Sequence, residues 1–366
     1  MLTFSRDQWL NYRWQRHGLG GELDDDRLDD LLALGVQDGR QAGAALSLRQ
    51  RAASAVLSPR QPPTGDAARE WIGPDGPFVS LWTVRGAPHV HRVTHLDFIR
   101  DALAPDPADE GGAGYVAAVD EVATALRATV RGATSKADAS SAVAGQVSGS
   151  LVAWCDRCQA RHVPDGLFRA AGLRAQVVLG PEQRATMLHP KPRQRQRRVA
   201  HPRLALLRAY LRVNGPTTRT LFRDWLGGVA ATAATWSELA DRMVKARVEQ
   251  KRAELPEELV EEVRTAPRAT GVVLVPPNDP YLRQVDRTLL VPDSKRRQEV
   301  WRALSGPGAL LVDGEVAGTW RYRGSERTLT INAFSDLTPA RRRSAERNAG
   351  LVAEVSGGGP PRVDWS

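Results

Sequence analysis

Between residues 5 and 93, three stretches of helical periodicity are followed by one that alternates, and this order limits the fold more than any other feature of the chain. Apolar positions recur at helical spacing over 5–17 and 25–36. The second stretch sets Leu28, Leu31 and Leu32 on one face behind Asp24–Asp26, an acidic first turn suited to the helix dipole. A third helical run covers 42–57 and ends before Pro59. Residues 77–93, "PFVSLWTVRGAPHVHRV", alternate as two strands joined by Arg-Gly-Ala-Pro. Three helices and then a hairpin is the order of a winged helix-turn-helix.

The remainder repeats and then departs from that pattern. Residues 104–114, "APDPADEGGAG", read as a linker, and a helix is predicted over about 115–132. The densest charge lies in 181–202, where Pro190 and Pro192 argue against regular structure. From 201 the sequence predicts a helix, a Gly-Pro turn, a Thr-capped helix, a Gly-Gly turn and a third helix around 229–249. From 270 short β-like pieces take over, "GVVLVPPNDPY", "RTLLVPD", "ALLVDGEVAGTWRYRG" and "RTLTINAF", with Asp313-Gly314 as a hairpin turn and a last helix at 338–353. The fold class expected is α+β, with four segments. These are a first winged-helix unit at 1–103, a linker and second helical unit with a basic loop at 104–200, a further winged-helix unit at 201–265, and a mostly β domain at 266–366.

Lys+Arg number 51 against 42 for Asp+Glu, a net charge of +9, which favours a polyanionic partner such as nucleic acid. Only five of the basic residues are lysines, so the charge is carried by arginine. With alanine and glycine also abundant, a GC-rich genome is the main cause, but the forked guanidinium donors are available to phosphate all the same. Two cysteines supply no disulfide framework, as in a reducing compartment. No stretch approaches the ~20 apolar residues of a membrane span and the N-terminus lacks a signal-peptide core, so a soluble cytoplasmic protein is expected. Cys155, Cys158 and His162 have the spacing of three zinc ligands. No second cysteine pair exists, and a fourth ligand would have to be His189, His201 or an aspartate, so two buried thiols beside a turn histidine is the preferred reading. No metal and no cofactor is expected.

Four stretches, taken in order, carry a family resemblance: "LGVQDGRQAGAALSLRQR" (34–51), "SLWTVRGAPHVHRV" (80–93), "LLRAYLRVNGPTTRTLFRDWLG" (206–227), and "LLVPDSKRRQEVW" with "LLVDGEVAGTWR" (289–321). Together they resemble the tandem winged-helix DNA glycosylases of the AlkZ/YcaQ type, which release bulky or crosslinked alkylated purines. The resemblance covers nearly the whole chain. It implies a C-shaped protein of winged-helix units with a C-terminal β-barrel-like domain, lining a basic channel for double-stranded DNA. Self-resistance to a genotoxic natural product is a role members often have. The family's Gln-x-Gln or Gln-x-Asp motif is matched at its first position by Gln37, whereas its third position is Gly39 here.

An N7-alkylated guanine is cationic and leaves readily, so its hydrolysis chiefly requires a stabilised oxocarbenium-like sugar and a placed water. Gln37 could hold that water through its amide, and Asp38 offers negative charge to the developing cation. Neighbours on a helix point about 100° apart, so both reach one sugar only where the backbone breaks, and Gly35 and Gly39 permit a break. Arg85, His89 and His91 lie on the presumed wing, where arginine commonly enters a groove or grips phosphate. Arg193, Arg195, Arg197 and Arg198 of the basic segment, with Arg40, Arg49, Arg51 and Arg219 near the helical units, complete the expected DNA contacts. The alternative is a winged-helix regulator without catalysis. Regulators usually dimerise on palindromic half-sites, and several DNA-binding units in one chain favour a monomeric enzyme instead.

Overall fold

A computed structural model describes residues 1–21, 23–39, 43–51, 71–108, 112–180, 185–227, 232–283 and 286–366. The chain forms two compact units, one made of Met1–Ala68, Leu207–Phe222 and Trp236–Ser366, the other of Arg69–Leu206 and Arg223–Thr235.

In the first unit, helix α1 (Arg6–Arg16) opens with a reciprocal cap in which the Ser5 side chain accepts the Gln8 N–H and Gln8 returns a bond to the Ser5 backbone. Its apolar stripe, Trp9, Leu10 and Trp14, enters a core with Tyr281, Leu290 and Leu311. Helix α2 (Asp25–Leu34) is capped by Asp24 and buries Leu28, Leu31 and Leu32, as the spacing predicts. Helix α3 (Gly43–Arg51) is the described part of the third helical run, whose remainder at 42 and 52–57 lies outside the described residues.

Two sheets accompany these helices. Leu2–Phe4 runs parallel to Met243–Val248, which pairs antiparallel with Lys251–Pro256. The strand Met243–Val248 corrects the helix expected at 229–249. Only Thr232–Ser237 is helical there, because Ala246 and Val248 alternate inward and the strand is paired on both sides. The second sheet has five strands in the order Val272–Val275, Gly308–Val312, Glu315–Arg323, Thr328–Ala333, Arg362–Trp365. It is open-edged, and among the described residues no closed barrel forms. Asp313 and Gly314 both have positive φ, 51° and 86°, the turn that two adjacent twisted strands need. The "RTLLVPD" segment is a correction too. Arg287–Leu290 is a helical turn, since the Asp286 carboxylate accepts the N–H groups of Thr288 and Leu289 at its start.

In the second unit, Phe78–Trp82 and Pro88–Arg92 form the expected hairpin, with Phe78 opposite Arg92. Arg85, in left-handed backbone at φ 55°, sits at the connection. Phe78–Trp82 is paired on its other side too, with Ser80 opposite Leu179, so this strand is interior to a sheet that continues through Met187–His189 to Thr134–Ser135. Helices Gly112–Thr129 and Asp165–Ala175 supply Val122, Leu126 and Phe168 to the core beneath Trp82. No helix among the described residues is long and apolar enough to cross a membrane.

Candidate active site

The turn after α2 carries the site. Gly35 ends the helix at φ 84°, a conformation that disfavours any side chain, and this breaks the helical path before Gln37. Asp38 Oδ1 then accepts the backbone N–H groups of Gly39 at 2.9 Å and Ala44 at 3.3 Å, so its carboxylate holds the turn against the start of α3. The Asp38 carboxylate, expected beside Gln37 at one sugar, is thus engaged by the turn itself. Gln37 lines a cleft of about 890 Å³, and Asp38 is not among its lining residues.

The cleft belongs wholly to the first unit. Gln37 Oε1 is buried there with no hydrogen-bond partner among the described residues, an energetically costly state for a carbonyl oxygen. Opposite the glycine of the motif stands Asn278, whose Nδ2 would lie 3.2 Å from a Cβ placed on Gly39. The Asn278 Oδ1 accepts both Nε (3.1 Å) and Nη2 (2.5 Å) of Arg283, which fixes the amide so that its N–H₂ is turned the other way. Arg287 lies 5.1 Å from the centre of the Trp301 ring, and burial draws its pKa below the usual arginine value. Arg302, Arg321 and Arg323 complete a basic rim, and no acidic side chain is found among the described lining residues.

A buried ion pair sets the position of α3 against the segment that holds Asn278. Arg51 is fully buried, and its Nη2 and Nη1 donate to Asp279 Oδ1 and Oδ2 at 2.6 and 2.8 Å. Ser47 Oγ donates to the same carboxylate at 2.7 Å, as does the Tyr281 N–H at 2.9 Å. Arg49, two residues earlier and on a different side of the helix, is half-buried.

These placements sort the expected DNA contacts. Arg51 is corrected to a core residue, since a guanidinium with no exposure and a bidentate carboxylate cannot meet phosphate. His89 and His91 are corrected likewise. They are 3% and 0% exposed, with His89 Nδ1 2.9 Å from the Ala87 carbonyl and His91 Nε2 3.2 Å from Thr83 Oγ1. The strand that carries them packs into a sheet rather than standing free as a wing. Arg85 is exposed, donates to the Trp225 carbonyl at 2.8 Å, and lines a second cleft of about 670 Å³ with Arg100, Arg169 and Arg174. Arg193, Arg195, Arg197 and Arg198 are exposed on a segment without regular structure, and Arg219 is exposed at the first turn of helix Arg219–Leu226. Arg40 lies outside the described residues. Asn278 and the rim arginines were not found from sequence. The one available signal was "PPNDP", whose polar pair between prolines is as well explained by a turn.

The family model for AlkZ-like DNA glycosylases matches residues 28–355. A curated relative, the interstrand DNA cross-link repair glycosylase of Streptomyces sahachiroi, is 28% identical over 160 residues, an alignment spanning 42% of this chain and 42% of that protein. Among solved structures, the DNA glycosylase AlkZ of the same organism superposes with a TM-score of 0.75 at 19% identity, covering 100% of both chains, and so shares the fold. With the family model running from α2 through the Gln37 turn and the Asn278 segment to the C-terminal helix Pro339–Val355, the chain belongs to the AlkZ-like DNA glycosylase family.

Proposed function

We propose that this chain is a monofunctional DNA glycosylase that hydrolyses the N-glycosidic bond of bulky or crosslinked N7- or N3-alkylated purines in double-stranded DNA. The observation that carries this reading is Gln37, its Oε1 without a partner among the described residues, on the lining of a cleft rimmed by arginines and lacking a carboxylate among its described lining residues. Once the amide turns from its buried position toward the cleft, that oxygen accepts an O–H of the nucleophilic water, which leaves the water's lone pair free for the sugar C1′. Arg302, Arg321 and Arg323 meet phosphates, and the fixed Asn278 amide donates to a sugar or phosphate oxygen in the space Gly39 leaves open. Asp38 is a positioning residue that holds the turn. With no carboxylate among the cleft's described lining residues, we assign the driving force to the leaving group, which favours purines made cationic by alkylation. The segments around 202–256, three helices followed by the Met243–Pro256 hairpin, fit a winged-helix unit that docks on duplex DNA. We further read the enzyme as a monomer whose basic segment at 191–198 grips phosphates.

The test is to incubate the protein with duplexes carrying N7-alkylguanine, N3-alkyladenine, O6-alkylguanine or uracil, and to score alkali-labile abasic sites. Strand scission after alkali is expected for the first two only. Binding without abasic sites on any duplex would make the protein a non-catalytic DNA binder.

A further inference from the structure

We propose that Cys155, Cys158 and His162 form a site for a thiophilic divalent cation, Zn²⁺, on a hairpin of the second unit that the proposed glycosylase chemistry does not use. The strands Ala153–Cys155 and Ala160–His162 pair antiparallel, with Ala153 opposite His162 and Cys155 opposite Ala160. Cys155 closes the first strand, Cys158 lies in the turn, and His162 closes the second strand. The two sulfurs and a ring nitrogen all lie within 4.8 Å of one another. Ligands on a tetrahedral zinc at bond lengths of about 2.1–2.3 Å stand about 3.5–3.8 Å apart, so a modest closing of side-chain rotamers completes the set.

Two details go beyond proximity. His162 Nδ1 donates to its neighbour's carbonyl, Val163 O, at 2.8 Å, which fixes the tautomer and leaves the lone pair on Nε2. That Nε2 is buried with no conventional hydrogen-bond partner among the described residues, and it lies within 4.8 Å of the ligand sulfurs. Carboxylates do not compete. Asp156 Oδ1 accepts the Trp154 indole N–H at 2.9 Å, and Asp165 is bound by Lys136. Two thiolates and one imidazole balance a divalent cation in charge and select zinc over magnesium or calcium by softness. Because Cys158 is exposed, the fourth position opens to solvent and takes a water. The hairpin has a reason to use a metal. Its strands are three residues each, and Gln159 is in left-handed backbone at φ 50°, so backbone pairing alone holds it weakly.

The experiment uses the full chain without an affinity tag, reduced, stripped with a chelator and titrated with Co²⁺. One equivalent is expected to saturate a sulfur-to-cobalt charge-transfer band together with the visible bands of tetrahedral cobalt, and one equivalent of Zn²⁺ should bleach both. Cys155→Ser and Cys158→Ser should each abolish the charge-transfer intensity, and His162→Ala should weaken or remove it, while circular dichroism stays that of the parent. The proposal is overturned if the reduced parent develops no such bands, if the Cys155→Ser/Cys158→Ser double variant retains them, or if the two thiols form a disulfide that excess Zn²⁺ does not prevent.

Discussion

The segment 43–51 and the segment 191–198 are both arginine-bearing, and the molecule uses the residue in opposite ways in the two places. In the first, Arg51 is fully buried against Asp279 and sets α3 beside the loop that carries Asn278. Arg13 does the same elsewhere in that unit. Its guanidinium donates to Asn214 at 2.6 Å and to the Tyr281 carbonyl at 2.9 Å, between the rings of Trp9 and Tyr281, and burial lowers its pKa to about 10. In the second, Arg193, Arg195, Arg197 and Arg198 stand in solvent on irregular backbone. The planar guanidinium tolerates burial here with its two Nη groups directed, although the Nε of Arg13 and of Arg51 has no partner among the described residues, and it grips phosphate when it is left in water. Composition therefore overstates the DNA-facing charge. Some of the arginine excess is internal scaffolding for the cleft rather than its rim.

If the cleft is where hydrolysis happens, Gln37→Ala has the largest effect. We expect excision to fall on the order of 10²–10⁴-fold, as for the loss of a group that places a reactive water, with duplex affinity nearly unchanged. Single-turnover excision beside a binding titration measures both. Asp38→Asn keeps the turn's size and most of its bonding, so a much smaller loss is expected. A loss equal to that of Gln37→Ala would return Asp38 to the sugar.

Arg51→Ala tests the inward half of the comparison. Stranding Asp279 without its partner should cost about 3–5 kcal/mol of stability, visible as a lowered Tm. A normal Tm with weakened DNA binding would place Arg51 among the phosphate contacts after all. The outward half is tested by neutralising Arg193, Arg195, Arg197 and Arg198 together. Affinity should drop for all sequences alike, and the salt dependence should flatten by up to roughly 0.9 per lost contact. An unchanged salt slope would show a solvated loop.

A smaller effect follows from the charge buried around His17. Burial first, and then the Arg13 and Arg51 charges, push its pKa well below 6.5. The folded chain keeps the ring neutral, whereas the unfolded chain takes up a proton below about 6.5. The contribution is therefore intact above that pH and is lost as pH falls, by at most about 1.4 kcal/mol per pH unit. Melts of the parent and of His17→Gln from pH 7.5 to 5.5 isolate it, since the variant should lack this part of the slope. The smallest change is Gly39→Ala. Its Cβ needs only a few tenths of an ångström from the Asn278 amide, so stability should move by less than about 1 kcal/mol. Excision should suffer more than stability, because the space proposed for substrate is filled.

Local periodicity in the sequence determined α1, α2, the start of α3, the 77–93 hairpin, the Asp313-Gly314 turn and the last helix, because each buries one face at its own period. The glycine-bracketed Gln37 was legible for a related reason, since Gly35 marks a helix end whatever surrounds it. Pairing between distant segments was not legible. Met243–Val248 reads as helix until Leu2–Phe4 and Lys251–Pro256 flank it, and Arg362–Trp365 becomes a strand only beside Thr328–Ala333. Burial of charge was hidden for the same reason. Arg51 and Asp279 are 228 residues apart, and nothing local to either tells a core ion pair from a surface charge. Only the tertiary structure brought Asn278 to Gly39 and turned His89 and His91 inward, because those outcomes depend on which chain segments share a volume.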